Sequence, residues 1–306
     1  MLWLKKILNN WYIKVVLLCF VSLIYTGGWC EIKHPLNPNL KLVVGDTTAI
    51  FDSLHCSYPV VSPDGKKVYY LCVNTDSTYG FYELPVGDIW AVNVDGSNNR
   101  LLLDGVYHLL SISHDGSRLA FQSCRGSYND PVPESLILIV HLRESTIANI
   151  ESLWVTQKGI NKIEWSSDDE YLYYQSLNFI YRLQLSNGVE ELVTSIPGIK
   201  GFDLFKDNTI YYDSVIKNPQ INPIHQNYVI GTKYEFSGSL LIRNISQGTL
   251  SELPASCEPY GISGLIGYPY WFPDGNTIVF AATPYVEGTH APAEIWILEN
   301  FFEQIK

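Results

Sequence analysis

Ser62-Pro63-Asp64-Gly65-Lys66-Lys67-Val68-Tyr69-Tyr70 decides how this chain is read, because its pattern returns four more times. Ser113-His114-Asp115-Gly116 runs into Leu119-Ala120-Phe121, and Ser166-Ser167-Asp168-Asp169 into Leu172-Tyr173-Tyr174. Phe272-Pro273-Asp274-Gly275 runs into Ile278-Val279-Phe280, and a shorter copy, Lys206-Asp207-Asn208, into Ile210-Tyr211-Tyr212. Each copy is a turn that tolerates φ > 0 set between strands of period two. A hairpin repeated at a period of about fifty residues marks a radial or stacked array.

The anchor aspartates stand at 64, 115, 168, 207 and 274, with steps of 51, 53, 39 and 67. The short and the long step together equal two ordinary ones, so one hairpin is displaced and none is lost. Leu40 lies 24 residues before Asp64, and 32 residues follow Asp274. The two ends together make one more period, the two halves of a single repeat. Each period also carries a second hairpin, such as Asp88-Ile89-Trp90-Ala91-Val92-Asn93-Val94-Asp95-Gly96-Ser97, and Leu240-Leu241-Ile242-Arg243 in the fourth. Four strands per unit make a propeller blade. The expected fold is all-β: a β-propeller of four-stranded blades, closed by residues 40–52 pairing onto 294–298. Five blades are expected. Six is the alternative, with residues 214–238 hiding the extra strands.

The Asp88–Ser97 hairpin, following Ser62-Pro63-Asp64-Gly65, resembles the repeat of TolB-type β-propellers. The resemblance covers roughly residues 57–300, clearly in the first and last repeats. It implies the fold and is nearly silent on activity. TolB itself carries a separate α/β domain ahead of its propeller and usually six blades. Only about 30 residues separate the leader from the first anchor here, so a propeller alone is expected.

Lys5, Lys6 and Lys14 precede an apolar run from Val15 to Tyr25, followed by Thr26-Gly27-Gly28. That pattern suits a signal peptide over residues 1–28, cut after Gly28, with an uncleaved anchor as the alternative. Residues 29–39 then read as a linker and 40–306 as the propeller, placed outside a membrane: periplasmic, cell-surface or secreted. The membrane is met only through an uncleaved leader. The net charge is −11, and −14 without the three leader lysines, which disfavours nucleic acid as a partner. An extracytoplasmic site allows disulfides. The spacing offers Cys72 with Cys124, or Cys56 with Cys257, against the plainer reading of buried small hydrophobes.

Chemistry-bearing motifs are sparse. Gly261-Ile262-Ser263-Gly264-Leu265 lacks the last glycine of a nucleophile elbow, and no dinucleotide or zinc signature is present. No cofactor or metal is expected. The repeated aspartates suit turns, where Asp caps its own backbone. The seven histidines are dispersed: His108 is placed near the channel, and His225 and His290 in loops of the irregular face.

In a propeller the turns joining strands 1–2 and 3–4 share one face, and the 2–3 loops share the other. Here the first face is all tight hairpins. The second carries residues 73–87, 125–134, 214–238 and 283–292, rich in Tyr, Pro and Gly. Such loops favour a pre-shaped contact surface. A protein partner is therefore expected on Tyr79, Tyr82, Tyr128, Tyr234 and Tyr285. The alternative is a glycan-active enzyme, hydrolase or lyase, working with inner-strand carboxylates in the funnel. Glu164 and Asp203 are its candidates, with Tyr268, Tyr270 and Trp271 stacking on sugar.

Overall fold

A computed structural model describes residues 39–45, 54–74, 87–125, 134–143, 146–156, 159–234, 236–237, 239–254, 264–286, 289–290 and 294–304. These are mostly antiparallel strand, with one short helix, Phe301–Gln304. Unit one holds Leu54–Val61, Lys67–Asn74, Gly87–Asn93 and the start of the long strand Arg100–Ile112. The far end of that strand opens unit two, with Arg118–Arg125, Glu134–Arg143 and Thr146–Thr156. Unit three is Lys162–Trp165, Tyr171–Ser176, Phe179–Gln184 and Glu190–Ser195. Gly201–Leu204 and Ile210–Asp213 then form a sheet of two strands, the half unit. Unit four is Lys217–Ile221, Tyr228–Thr232, Ser239–Asn244 and Thr249–Pro254. Unit five is Gly264–Trp271, Ile278–Val286 and Glu294–Leu298, and its fourth strand comes from the other end of the chain, Leu40–Val44.

The first strand of every unit, the half unit included, touches the first strand of the next, and unit five touches unit one. Apolar side chains fill the spaces between successive sheets. Val60, Tyr69, Leu71, Leu119 and Phe121 join units one and two, and Ile137, Ile139, Trp165 and Tyr174 join units two and three. This is a β-propeller.

The displaced hairpin is explained by the half unit. Residues 214–238, expected as a 2–3 loop, hold the first two strands of unit four. The hairpin anchored at Asp207 and the one at 240–243, read as one repeat, lie in different sheets. The regular turn of unit four is Asn222-Pro223. Asn222 N donates to Tyr228 O at 2.9 Å, as Ser62 N does to Lys67 O. Asn222 Oδ1 accepts from the amides of Ile224 and His225, which is the service Asp64 gives Lys66. An asparagine in place of Asp-Gly hid this turn. Losing a whole hairpin changes no strand direction. The half unit leaves on the side where a four-strand unit would, so the next inner strand enters correctly.

The tight turns also hold one another. Asp169, in the turn of unit three, accepts from the amides of His114 and Asp115 in the turn of unit two, at 2.8 and 2.9 Å. Asn208 of the half unit accepts from Ser167 N, and Asn222 Nδ2 donates to Gly275 O. Pro63 packs so closely on Gly116, whose φ is +72°, that a Cβ there would sit 2.9 Å from Pro63 Cδ. Within each turn the aspartate is spent locally: Ser62 Oγ to Asp64 is 2.6 Å and Ser166 Oγ to Asp168 is 2.5 Å. Those serine bonds lead the causes holding Asp64 and Asp168 below the ordinary carboxylate range.

Closure follows the expected pairing of the two chain ends. Leu40 faces Leu298, Lys41 faces Ile297 and Leu42 faces Trp296. Glu299 N donates to Asn39 O, and Lys41 pairs with Glu299 at 2.5 Å. The following turn of helix buries Phe301 against Trp271, ring centroids 4.9 Å apart. Residues 46–52 of the expected closing segment lie outside the described residues. The disulfide differs from both expected pairs: Cys56 joins Cys72, directly opposite in neighbouring strands of one sheet. Spacing along the chain favoured bridges between sheets, whereas the hairpin register alone brings these two together.

Deleting residues up to Val44 strips the edge of unit five and uncovers a strand whose five residues are all buried. Leu40, Val43 and Val44 are themselves buried, each worth ~1.5–3 kcal/mol. The truncated chain is expected to melt at least ~10 °C lower, at about 2–4 °C per kcal/mol. Thermal unfolding followed by circular dichroism checks this, and a shift of two or three degrees would refute the closure.

Candidate functional site

Four inner strands carry the same irregularity. Tyr58, Leu109, Asn218 and Tyr268 have φ of +49°, +55°, +50° and +52°, and strand register slips beside each. A bulge of this kind bends the strand and re-aims its side chain. All four residues line one small cavity on the axis, with Lys162, Glu164, Gln220 and Tyr270. Glu164, Gln220 and Tyr270 also line a larger cavity of about 240 Å³ that opens among the tight turns. Asp203, Trp271, Phe205, Lys206 and His114 complete much of its wall.

A charged cluster separates the two cavities. Lys162 is buried, and its Nζ lies 3.0 Å from Glu164 Oε1 and donates to Pro219 O at 2.6 Å. Gln220 Nε2 donates to the same Glu164 oxygen at 3.1 Å. Asp203 is held by amides: Ile221 N donates to Oδ2 at 2.5 Å and Leu204 N to Oδ1 at 2.8 Å. Burial first, and then the nearby Glu164, push the Asp203 carboxyl up to about 7, against the opposing pull of Lys162. Burial and the same two carboxylates raise the Tyr270 phenol as well. A carboxyl group that changes charge near neutrality, beside an ionic pair and aromatic walls, can exchange a proton or bind a polar ligand.

Glu164 and Asp203, predicted as funnel acids, do meet on the axis. Tyr270 and Trp271 line the larger cavity and Tyr268 the smaller. Tyr79, Tyr82 and Tyr128 lie outside the described residues. Tyr285 stands on the Ile278–Val286 strand opposite His290, its side chain outside the described set. Tyr234 is 59% exposed beyond the second strand of unit four, with Lys200 and Lys233 Nζ 5.9 and 5.7 Å from its ring centre. The structure thus joins the two acids; of the five tyrosines, Tyr234 alone has its side chain among the described residues.

His108 is buried, bonded to Tyr58 Oη at 2.9 Å and Gln122 Oε1 at 3.1 Å. His225 lies in the tight turn of unit four, not in a loop of the irregular face, and packs edge-on against Phe302. Lys162, Gln220 and Asn218 are the site residues that sequence reasoning missed. The signals were present. Lys162 is two residues from Glu164 on one strand and must share its face. Asn218-Pro219 stands four residues before Asn222-Pro223, as Tyr58-Pro59 does before Ser62-Pro63 and Tyr268-Pro269 before Phe272-Pro273.

Solved structures share this architecture. The RRP9 WD40 repeats superpose with a TM-score of 0.53 at 11% identity, over 87% of this chain and 99% of that one. U3-55K gives 0.52 at 11% identity, over 87% and 100%. TolB from Acinetobacter baumannii gives 0.39 at 17% identity, over 80% and 54%. The first two likenesses support the propeller fold, and none of the three assigns the chain to a family. No family model and no curated protein matches the chain.

Asp203 sets a testable pH dependence. Its folded pKa stands above the unfolded value of about 3.9, so the folded state holds the extra proton between the two. Its stabilising share is complete below the unfolded value and is lost as pH rises through about 7. The melting temperature of the wild type minus that of Asp203→Asn is expected to fall steadily from pH 5 to pH 8. A flat difference would mean that this carboxyl group does not titrate in that window.

Proposed function

We propose that the protein is an extracytoplasmic β-propeller binding module that takes a protein partner on its 2–3 loop face. The observation that carries the reading is a division of labour between the two faces. On the tight-turn face the repeated aspartates are consumed by their own turns and their neighbours. On the other side Tyr234 is left outside, framed by two lysines. Aromatic side chains that stand free of their own fold are frequent interface anchors. Tyr79, Tyr82, Tyr128 and Tyr285 are assigned to the same surface from their place in the 2–3 loops. The leader over residues 1–28 would deliver the propeller across a membrane, with cleavage after Gly28.

The glycan-active alternative draws support from one feature, the meeting of Glu164 and Asp203 beside an aromatic-walled cavity. Against it, Lys162, Gln220 and two backbone amides engage both carboxylates, an arrangement that suits holding inner strands together.

One set of variants separates the readings. With purified ectodomain and envelope extract, Tyr234→Ala is expected to weaken capture of the partner by ~2 kcal/mol, about thirtyfold. Glu164→Gln, checked for folding, is expected to leave capture unchanged. Polysaccharide cleavage by the wild type that disappears in Glu164→Gln, with capture insensitive to Tyr234→Ala, would overturn the binding-module reading.

A further inference from the structure

Among the described residues, the half unit is the one whose second strand has an open edge. Ile210–Asp213 pairs with Gly201–Leu204 on one side, and among the described residues no strand pairs with it on the other. Phe205 N donates to Thr209 O, so the bonded pairs of this ladder are 205 with 209 and 203 with 211. The backbone N–H and C=O groups of Ile210 and Tyr212 therefore point away from the hairpin. They face the place where a third strand stands in units one to five.

That place is a slot. Units three and four each continue for two more strands, so at about 4.8 Å per strand the edge lies roughly 10 Å inside their outer rims. One wall is the face of unit three that packs Ile180 on Phe202, and it carries Arg182 paired with Glu191 further out. The other is the face of unit four whose Arg243 bonds Asp213 at 2.8 Å, with Leu250 opposite Arg243 and 43% exposed. Tyr212 stands on the floor, 54% exposed. Exposed Lys206 and Lys200 flank the two ends of the half unit, while Asp203 and Asp213 are buried and engaged.

We propose that this slot binds a single extended peptide segment of a partner protein, which adds to Ile210–Asp213 as a third strand. The occupant is apolar at alternate positions and acidic at its ends. A free strand edge is satisfied by another strand, whose main-chain bonds supply affinity and whose alternate side chains supply selectivity. The recess selects the kind of strand. A second copy of this propeller cannot bring a sheet edge to the bottom of a slot 10 Å deep, whereas one chain segment can enter it. Lys200 and Lys206 give the acidic ends their partners. Lys200 also lies 5.9 Å from the Tyr234 ring, so this surface adjoins the Tyr234 face, while the strand edge itself is built from Ile210–Asp213.

The probe is a fluorescein-labelled decapeptide alternating valine and threonine, with glutamate at both ends, followed by fluorescence anisotropy on the full ectodomain. Saturable binding is expected. Two further peptides carry N-methyl groups on odd or on even residues. Strand addition requires that one of them bind like the parent and the other at least tenfold more weakly. Tyr212→Pro, which removes an outward N–H, is expected to weaken the parent peptide at least tenfold. If Tyr212→Pro fails to fold, the methylated pair decides alone. No saturable binding, equal binding of both methylated peptides, or full binding by folded Tyr212→Pro would overturn the proposal. So would a dimer in sedimentation equilibrium that Tyr212→Pro abolishes, since that would make a second copy the occupant.

Discussion

Residues from the two ends of the chain complete one sheet, and the rest of the ring depends on that pairing. Leu40–Val44 supplies the outermost strand of unit five, and Asn39 binds both Glu299 N and Asn300 Nδ2. A propeller unit buries each face against a neighbour, so no unit is stable until both neighbours are in place. Closing through strand pairing makes the last unit depend on the first residues of the domain. It couples the ring to a contact of very high sequence separation, which folding can form only late. The C-terminal turn of helix then seals this junction by burying Phe301 beside Trp271.

A closed ring tolerates local omission if its geometry is kept. The half unit lacks an outer hairpin, yet Phe202, Ile199 and Leu204 still pack on Tyr173 and Ile180 of unit three. Its inner strand still touches both neighbouring inner strands. What is lost lies at the outer radius, where the other units carry a third and a fourth strand. The inner radius gains a concentrated polar site. Lys162, Glu164, Asp203 and Gln220 come from units three and four and the half unit, and they bond to one another or to the backbone of Leu204, Pro219 and Ile221. A buried ionic cluster of this kind is costly to desolvate and gives position in return. It fixes the relative height of three inner strands at the point where the ring is thinnest.

The two ends of the channel are therefore built differently. Around the tight turns, Asp169, Asn208 and Asn222 link turn to turn, which makes that rim stiff. On the opposite side an exposed aromatic lies between lysines. Stiffness at one end and exposed side chains at the other give a scaffold that presents a surface.

The sequence alone determined the propeller and the place where it closes. Asp64-Gly65 and its copies need φ > 0 turns, period-two strands follow them, and the spacing left half a repeat at each end. It also placed Glu164 and Asp203 on inner strands, from which both reach the axis. It could not show that Asp207 and Leu240 belong to different sheets, because Asn222 does the work of Asp-Gly without looking like it. Nor could it reveal the Cys56–Cys72 bridge, which depends on which residues stand opposite in one hairpin. The bonds that Lys162 and Gln220 make across strands, and the open edge at Tyr212, became visible only in the tertiary structure. Each owes its setting to strands far away in the chain, and no local pattern records what a distant strand does or leaves undone.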